Sequence, residues 1–148
     1  MPAAMEELLC TAGRTEGCVS ITQVIGVLIT ALLTILFLQS GLDKVTDRKG
    51  NIEWLTGHFA NSPFKNIVPL LVTQITLLEL ATGAVCAAGC VILLLGGSTF
   101  VALLGTALAS VSLIALFLGQ RLAKDYEGAA VLVNYFVLTI VGLYILGG

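Results

Sequence analysis

The chain of 148 residues is 57% hydrophobic and only 11% charged, with a net charge of -2 and a mean hydropathy of +1.03. That composition lies outside the soluble globular range and inside the membrane class. The net charge and the lack of a basic patch exclude a nucleic-acid partner. The four cysteines form no C-x-x-C pair and stand near no histidine cluster, so no zinc or thioredoxin-like site is expected.

Residues 1–18 read as an N-terminal tail. Glu6 and Glu7 stand where a secretory signal carries basic residues, and no apolar run precedes a small-residue cleavage site. A short surface helix or an unstructured tail is expected there.

The first span covers about residues 19–40. Gln23, Gly26, Thr30, Thr34, Phe37 and Gly41 recur at helical spacing on one small or polar stripe, with Leu28, Leu32 and Ile35 on the other side. Threonines in such a helix bond their own i−4 carbonyls. Gly41 is expected to end the helix. Residues 43–65 then turn polar. Within them Ile52, Leu55 and Phe59 keep helical spacing beside Trp54 until Pro63 stops the run. This pattern predicts a short amphipathic helix on the bilayer surface, with Trp54 and Phe59 at headgroup level. His58, the single histidine, has no carboxylate or cysteine at catalytic spacing and is read as interfacial.

The second span, about residues 66–95, carries one full charge, Glu79. It is longer than the roughly 20 residues that cross a hydrocarbon core of about 30 Å. A central carboxylate costs about 3 kcal/mol, which the surrounding Leu, Ile and Val residues outweigh at a few tenths each. Val72, Thr76, Gly83, Cys86 and Cys90 share the face of Glu79, and Leu70, Leu77, Ala81, Ala84 and Ala88 lie opposite. The small and polar side should look into a bundle. Gly96, Gly97 and Ser98 make a tight connection to the third span, about residues 99–120, whose small face holds Ser98, Ala102, Gly105, Ala109, Ser112 and Gly119. A second polar loop, residues 121–128, precedes the fourth span at about 129–146, with Asn134 and Tyr135 expected to bond between helices and an interface position as the equal alternative for Tyr135.

The fold expected is all-α, a four-transmembrane-helix bundle with a short interfacial helix between spans one and two. The polar loops hold Lys44, Arg48, Lys49, Lys65, Arg121 and Lys124, whereas the opposite side holds only Arg14. The positive-inside rule places both loops in the cytoplasm and both termini outside a bacterial inner membrane. Cys10 and Cys18 then face a compartment that permits a disulfide, and free thiols are the equal alternative.

At the end of the first span the chain reads Gln39-Ser40-Gly41-Leu42-Asp43-Lys44. A Gly-Leu-x-Lys sequence closing the first of four spans resembles the DoxX-like membrane proteins. The likeness continues through Leu78-Glu79-Leu80-Ala81-Thr82-Gly83. It extends to Trp54-Leu55-Thr56-Gly57-His58-Phe59 and Gln120-Arg121-Leu122-Ala123-Lys124-Asp125-Tyr126, in the manner of a Bacteroidetes-type branch of that family. The resemblance implies a four-helix membrane module. It also implies, for some members, a place in quinone-linked oxidoreductases such as thiosulfate:quinone oxidoreductase, with a quinone as the cofactor. The chain departs from the common pattern in carrying Gln23 and Gly26 where many relatives have an arginine early in the first span.

Glu79, Thr30, Thr34 and Gly83 form the candidate intramembrane polar site, since an ionisable residue within a span is a functional hypothesis by default. Counting about 1.5 Å per residue puts Glu79 roughly 20 Å in from the loop end and Thr30 about 16 Å in on its own span. A neutral Glu79 bonded to the Thr30 hydroxyl or to a freed carbonyl is the structural expectation, and a proton or quinol relay is the functional one. Asp43, Lys44 and Arg121 are candidate docking points for a partner subunit, with a local Asp43–Lys44 pair as the plainer reading. With no catalytic constellation in view, the first reading is an accessory or structural subunit that contacts the lipid bilayer and other subunits of a larger, respiratory-type membrane complex. The alternative is a quinone-interacting subunit of an oxidoreductase. A solute or proton pathway ranks last, because the sequence offers only scattered hydroxyls.

Overall fold

A computed structural model describes residues 20–148. The 1–18 tail, with Arg14, Cys10 and Cys18 and the question of their pairing, lies outside the described residues. The described chain is built from helices: α1, Ile21–Thr46; α2, Arg48–His58; a 3-10 turn, Lys65–Ile67; α3, Val68–Leu94; α4, Phe100–Leu122; and α5, Tyr126–Gly147. Four of these segments, α1, α3 with its leading turn, α4 and α5, are long and apolar enough to cross a membrane. The protein is an all-α, four-helix integral membrane bundle.

The first two spans bury the faces their sequences mark. In α1 the buried residues are Gly26, Ile29, Thr30, Leu33, Phe37 and Gly41, while Leu28, Leu32 and Ile35 are exposed. In α3 Val72, Thr76, Glu79, Gly83 and Cys86 are buried, and Leu70, Leu77, Ala81, Ala84 and Ala88 face outward. Lipid tails are as apolar as leucine, so the inward faces are chosen by fit and by polar satisfaction rather than by escape from water. Thr30 donates to the Gly26 carbonyl at 2.8 Å, Thr76 to Val72 at 2.6 Å and Thr106 to Ala102 at 2.8 Å, which lets hydroxyls sit in the core at little cost.

The helices follow one another around the bundle. α1 packs on α3, α3 on α4 and α4 on α5, and a thinner seam closes α5 back onto α1. Ile29, Leu33 and Phe37 of α1 meet Cys86 of α3 and Ala109 and Leu113 of α4 in the central core. The α3–α4 hairpin brings two backbones together. A Cβ on Gly89 would lie 2.6 Å from the Cα of Ala102, and one on Gly105 would lie 3.0 Å from the Cys86 nitrogen. Its connection turns at Gly96, with φ of 73°, while Gly97 N–H bonds the Ile92 carbonyl at 2.8 Å.

Three expectations change. Gly41 does not end α1, which runs on to Thr46. The glycine is there for close approach, since a Cβ would lie 2.7 Å from Leu80 Cδ2. Phe59 does not lie on the outer surface: it caps α2 and is buried with Val68 and Val72, against Ile52 and Leu55. The 52, 55, 59 stripe therefore covers the first turns of α3, and Trp54 alone of the expected pair stays exposed. Asn134, expected to bond between helices, is exposed.

The antiparallel register follows from Gly41 against Leu80, Gly83 against Leu38 and Gly26 against Leu93. Extended downward, it leaves roughly two turns of α3 standing beyond the end of α1. α2 fills the step this creates. Both polar connections thus lie at one end of the bundle, with the 96–98 turn at the other.

Candidate functional site

The overhang of α3 brings Glu79 level with the last turns of α1. Lys44 Nζ lies 2.9 Å from Glu79 Oε2 and donates to Oε1 at 3.1 Å. Ser40, one turn back on α1, donates to the same Oε1 at 2.9 Å. It also accepts from Lys44, at its hydroxyl at 2.8 Å and at its carbonyl at 3.3 Å. Glu79 is only 1% exposed and the Lys44 side chain 17%, so this is a charged pair withdrawn from solvent at the loop end of the bundle. Such a pair holds only when its remaining hydrogen-bonding capacity is also met. Ser40 supplies part of that by bridging both partners.

Some acceptor capacity is left over. Oε2 takes part in the ion pair but accepts no directed hydrogen bond among the described residues, and neither does Gln120 Oε1 on α4. Glu79 and Gln120 both line a cavity of about 510 Å³. Its walls are mostly apolar, with Leu55, Phe59, Phe64, Val72, Ile75 and Leu116 among them. Trp54 and His58, both exposed, also line it, their rings 3.8 Å apart between centroids and tilted by 32°. On another side its lining reaches Leu118 and Leu122, both exposed on the outer surface of α4. The cavity therefore communicates with the polar end of the bundle and with the lipid-facing surface. Apolar walls with a few convergent polar groups are the usual make-up of a small-molecule site.

The sequence-predicted residues divide. Glu79 is at the site. Gly83, one turn on, carries the close contact that seats α1 on α3: a Cβ there would lie 2.7 Å from Leu38 Cδ2. Thr30 and Thr34 do not reach Glu79. Thr30 bonds Gly26 and Val27, and Thr34 bonds the Thr30 carbonyl at 2.7 Å. The Thr30 partner expected for Glu79 is thus replaced by Ser40 and Lys44. The depth count assumed that every span starts in one plane, and α3 starts about two turns lower than α1 ends. Lys44 turns inward to Glu79 rather than pairing with Asp43. Asp43 is exposed, and its carbonyl accepts from Asp47 N–H at 3.0 Å. Arg121 is exposed and lies over the Tyr126 ring, 4.7 Å from its centroid. Ser40, Gln120 and Trp54 were not singled out as site residues. The i, i+4 spacing of Ser40 and Lys44 was the available signal.

Cys86 and Cys90 are free thiols, and Cys90 Sγ lies 3.8 Å from the Val27 carbonyl. No family model, no curated protein and no solved structure matches the chain.

Proposed function

We propose that this integral membrane protein is a subunit of a larger membrane assembly that holds a lipid-soluble, hydroxyl-bearing ligand of the quinol type at Glu79 and Lys44. The observation that carries this reading is the buried ion pair at a largely apolar cavity, with acceptor capacity to spare on Glu79 Oε2 and Gln120 Oε1. The DoxX-like resemblance of the 39–44 and 78–83 segments leads to the same class of ligand.

The chemistry of the donors decides which form of the ligand suits the cavity. Lys44 already spends its protons on Ser40 and Glu79, so a carbonyl-only head finds no free cationic donor there. A hydroxyl can donate to Glu79 Oε2, and Gln120 Oε1 offers a second acceptor on the same cavity. The reduced, dihydroxy form is therefore the better fit, with its ring and tail against Leu116, Ile75 and Leu118. A purely structural role in the same assembly is the second reading. It is favoured by Asn134, a polar side chain exposed near the middle of α5.

Trp54 is the single tryptophan of the chain and lines the cavity, so its fluorescence tests the reading directly. Anaerobic titration of the purified protein with a short-chain quinol should give saturable quenching, tighter than with the matching quinone. Ala115→Phe, which fills the cavity, should abolish it. Unsaturable quenching by both forms, together with no quinone in the organic extract of the purified protein, would leave only the structural role.

A further inference from the structure

We infer that α5 carries a self-association surface and that its occupant is a second copy of this chain, paired through Asn134. Ala130, Asn134, Val137, Val141 and Tyr144 are all exposed. They recur at alternating intervals of four and three, the spacing of a helix–helix seam. Asn134 lies about 12 Å along a helix about 33 Å long, too far from either end for its short side chain to reach water. It makes no side-chain hydrogen bond to any described residue.

The chemistry of that side chain selects the partner. A carboxamide carries both a donor and an acceptor, so it is complementary to itself. Two copies inserted in one membrane share their orientation, and the two-fold axis relating them runs along the membrane normal. On such an axis every residue meets its own counterpart at equal depth. Asn134 therefore faces Asn134 of the second copy at the same level, with Val137 and Val141 packing beside it. A lone asparagine in such a seam fixes register and oligomeric state. Gln39 is the competing candidate, since it stands on the exposed α1 stripe of Leu28, Leu32, Ile35 and Leu42. It lies at about the same depth as Asn134, since Gly26 packs against Leu146 and Gly142 against Ile29, so a crosslink on each stripe decides between the two.

The test uses the full-length chain in native membranes, with Cys10, Cys18 and Cys90 replaced by serine and the buried Cys86 left in place. Val137→Cys should form a covalent dimer under mild oxidation, and Ile35→Cys should stay monomeric. Adding Asn134→Val to the Val137→Cys chain should weaken association roughly three- to thirtyfold, whereas Asn134→Gln should retain most of it. The inference fails on any of three results: dimers through Ile35→Cys instead, a Val137→Cys crosslink to a different protein, or a crosslink indifferent to Asn134→Val. Uncrosslinked monomer in both cysteine-substituted chains, with the protein folded by circular dichroism, would overturn it as well.

Discussion

Removing Lys44 and removing Glu79 are not equivalent perturbations. Glu79 hangs from the interior of α3 on a short side chain and is 1% exposed, whereas Lys44 sits on the last turns of α1 with a flexible stem and is 17% exposed. An ammonium deprived of its partner can swing toward the polar end, but the carboxylate has nowhere to go. Lys44→Met should therefore cost about 3–5 kcal/mol, the range for stranding a buried charge. Glu79→Gln, which keeps an acceptor for Ser40, should cost roughly 1 kcal/mol. The double variant should recover most of the Lys44→Met loss. Denaturant unfolding in mild detergent measures all three, and additive losses in the double variant would mean that the two groups do not interact. The importance of Glu79 was legible from one charge in a long apolar run. Its partner was not, because Lys44 looked like a boundary residue and only the stagger between α1 and α3 brings the two together.

At the scale of the elements, the inward faces were legible because small and polar residues repeat at helical intervals, and helices in lipid associate through such faces. What the repeat does not reveal is whether a glycine ends a helix or lets another one in. Gly41 follows Ser40 and precedes a charged run, which looks like a terminus, yet its missing Cβ makes room for Leu80. The turn before α5 hides a different signal: Lys124 adopts a positive φ of 62° where a glycine is the usual marker. The glycine contacts lead to a contrast that can be measured. At Gly89 a Cβ would meet the backbone of Ala102, which cannot move aside like a side chain, so Gly89→Ala should destabilise the bundle by about 1–3 kcal/mol. At Gly57, in α2, nothing lies within 4 Å of the added carbon. Gly57→Ala should stabilise by roughly 0.5–1 kcal/mol through the lost freedom of the unfolded chain. Equal effects at the two positions would contradict the α3–α4 contact.

For the whole molecule, four apolar segments and two tight connections were enough to specify an up-and-down bundle, whereas the step filled by α2 required the register of the helices. With both polar connections at one end, the charge count gives an orientation that is open to labelling. We expect that end to be cytoplasmic, because six of the seven Lys and Arg residues lie in those connections and at the helix ends beside them. A membrane-impermeant thiol reagent should then modify Cys10 or Cys18 in intact spheroplasts after reduction, and Lys49→Cys only after lysis; the reverse pattern would invert the topology. The stagger that joins Lys44 to Glu79 also bears on biogenesis. Between Lys65 and Arg121 the chain carries one charged side chain, Glu79, so α3 and α4 can enter the bilayer together as a hairpin led by the uncharged 96–98 turn. Ribosomes make α1 first. By the time Glu79 emerges, Lys44 is already parked at the rim of an inserted helix, and the newcomer has a counter-ion waiting on its route into the hydrocarbon.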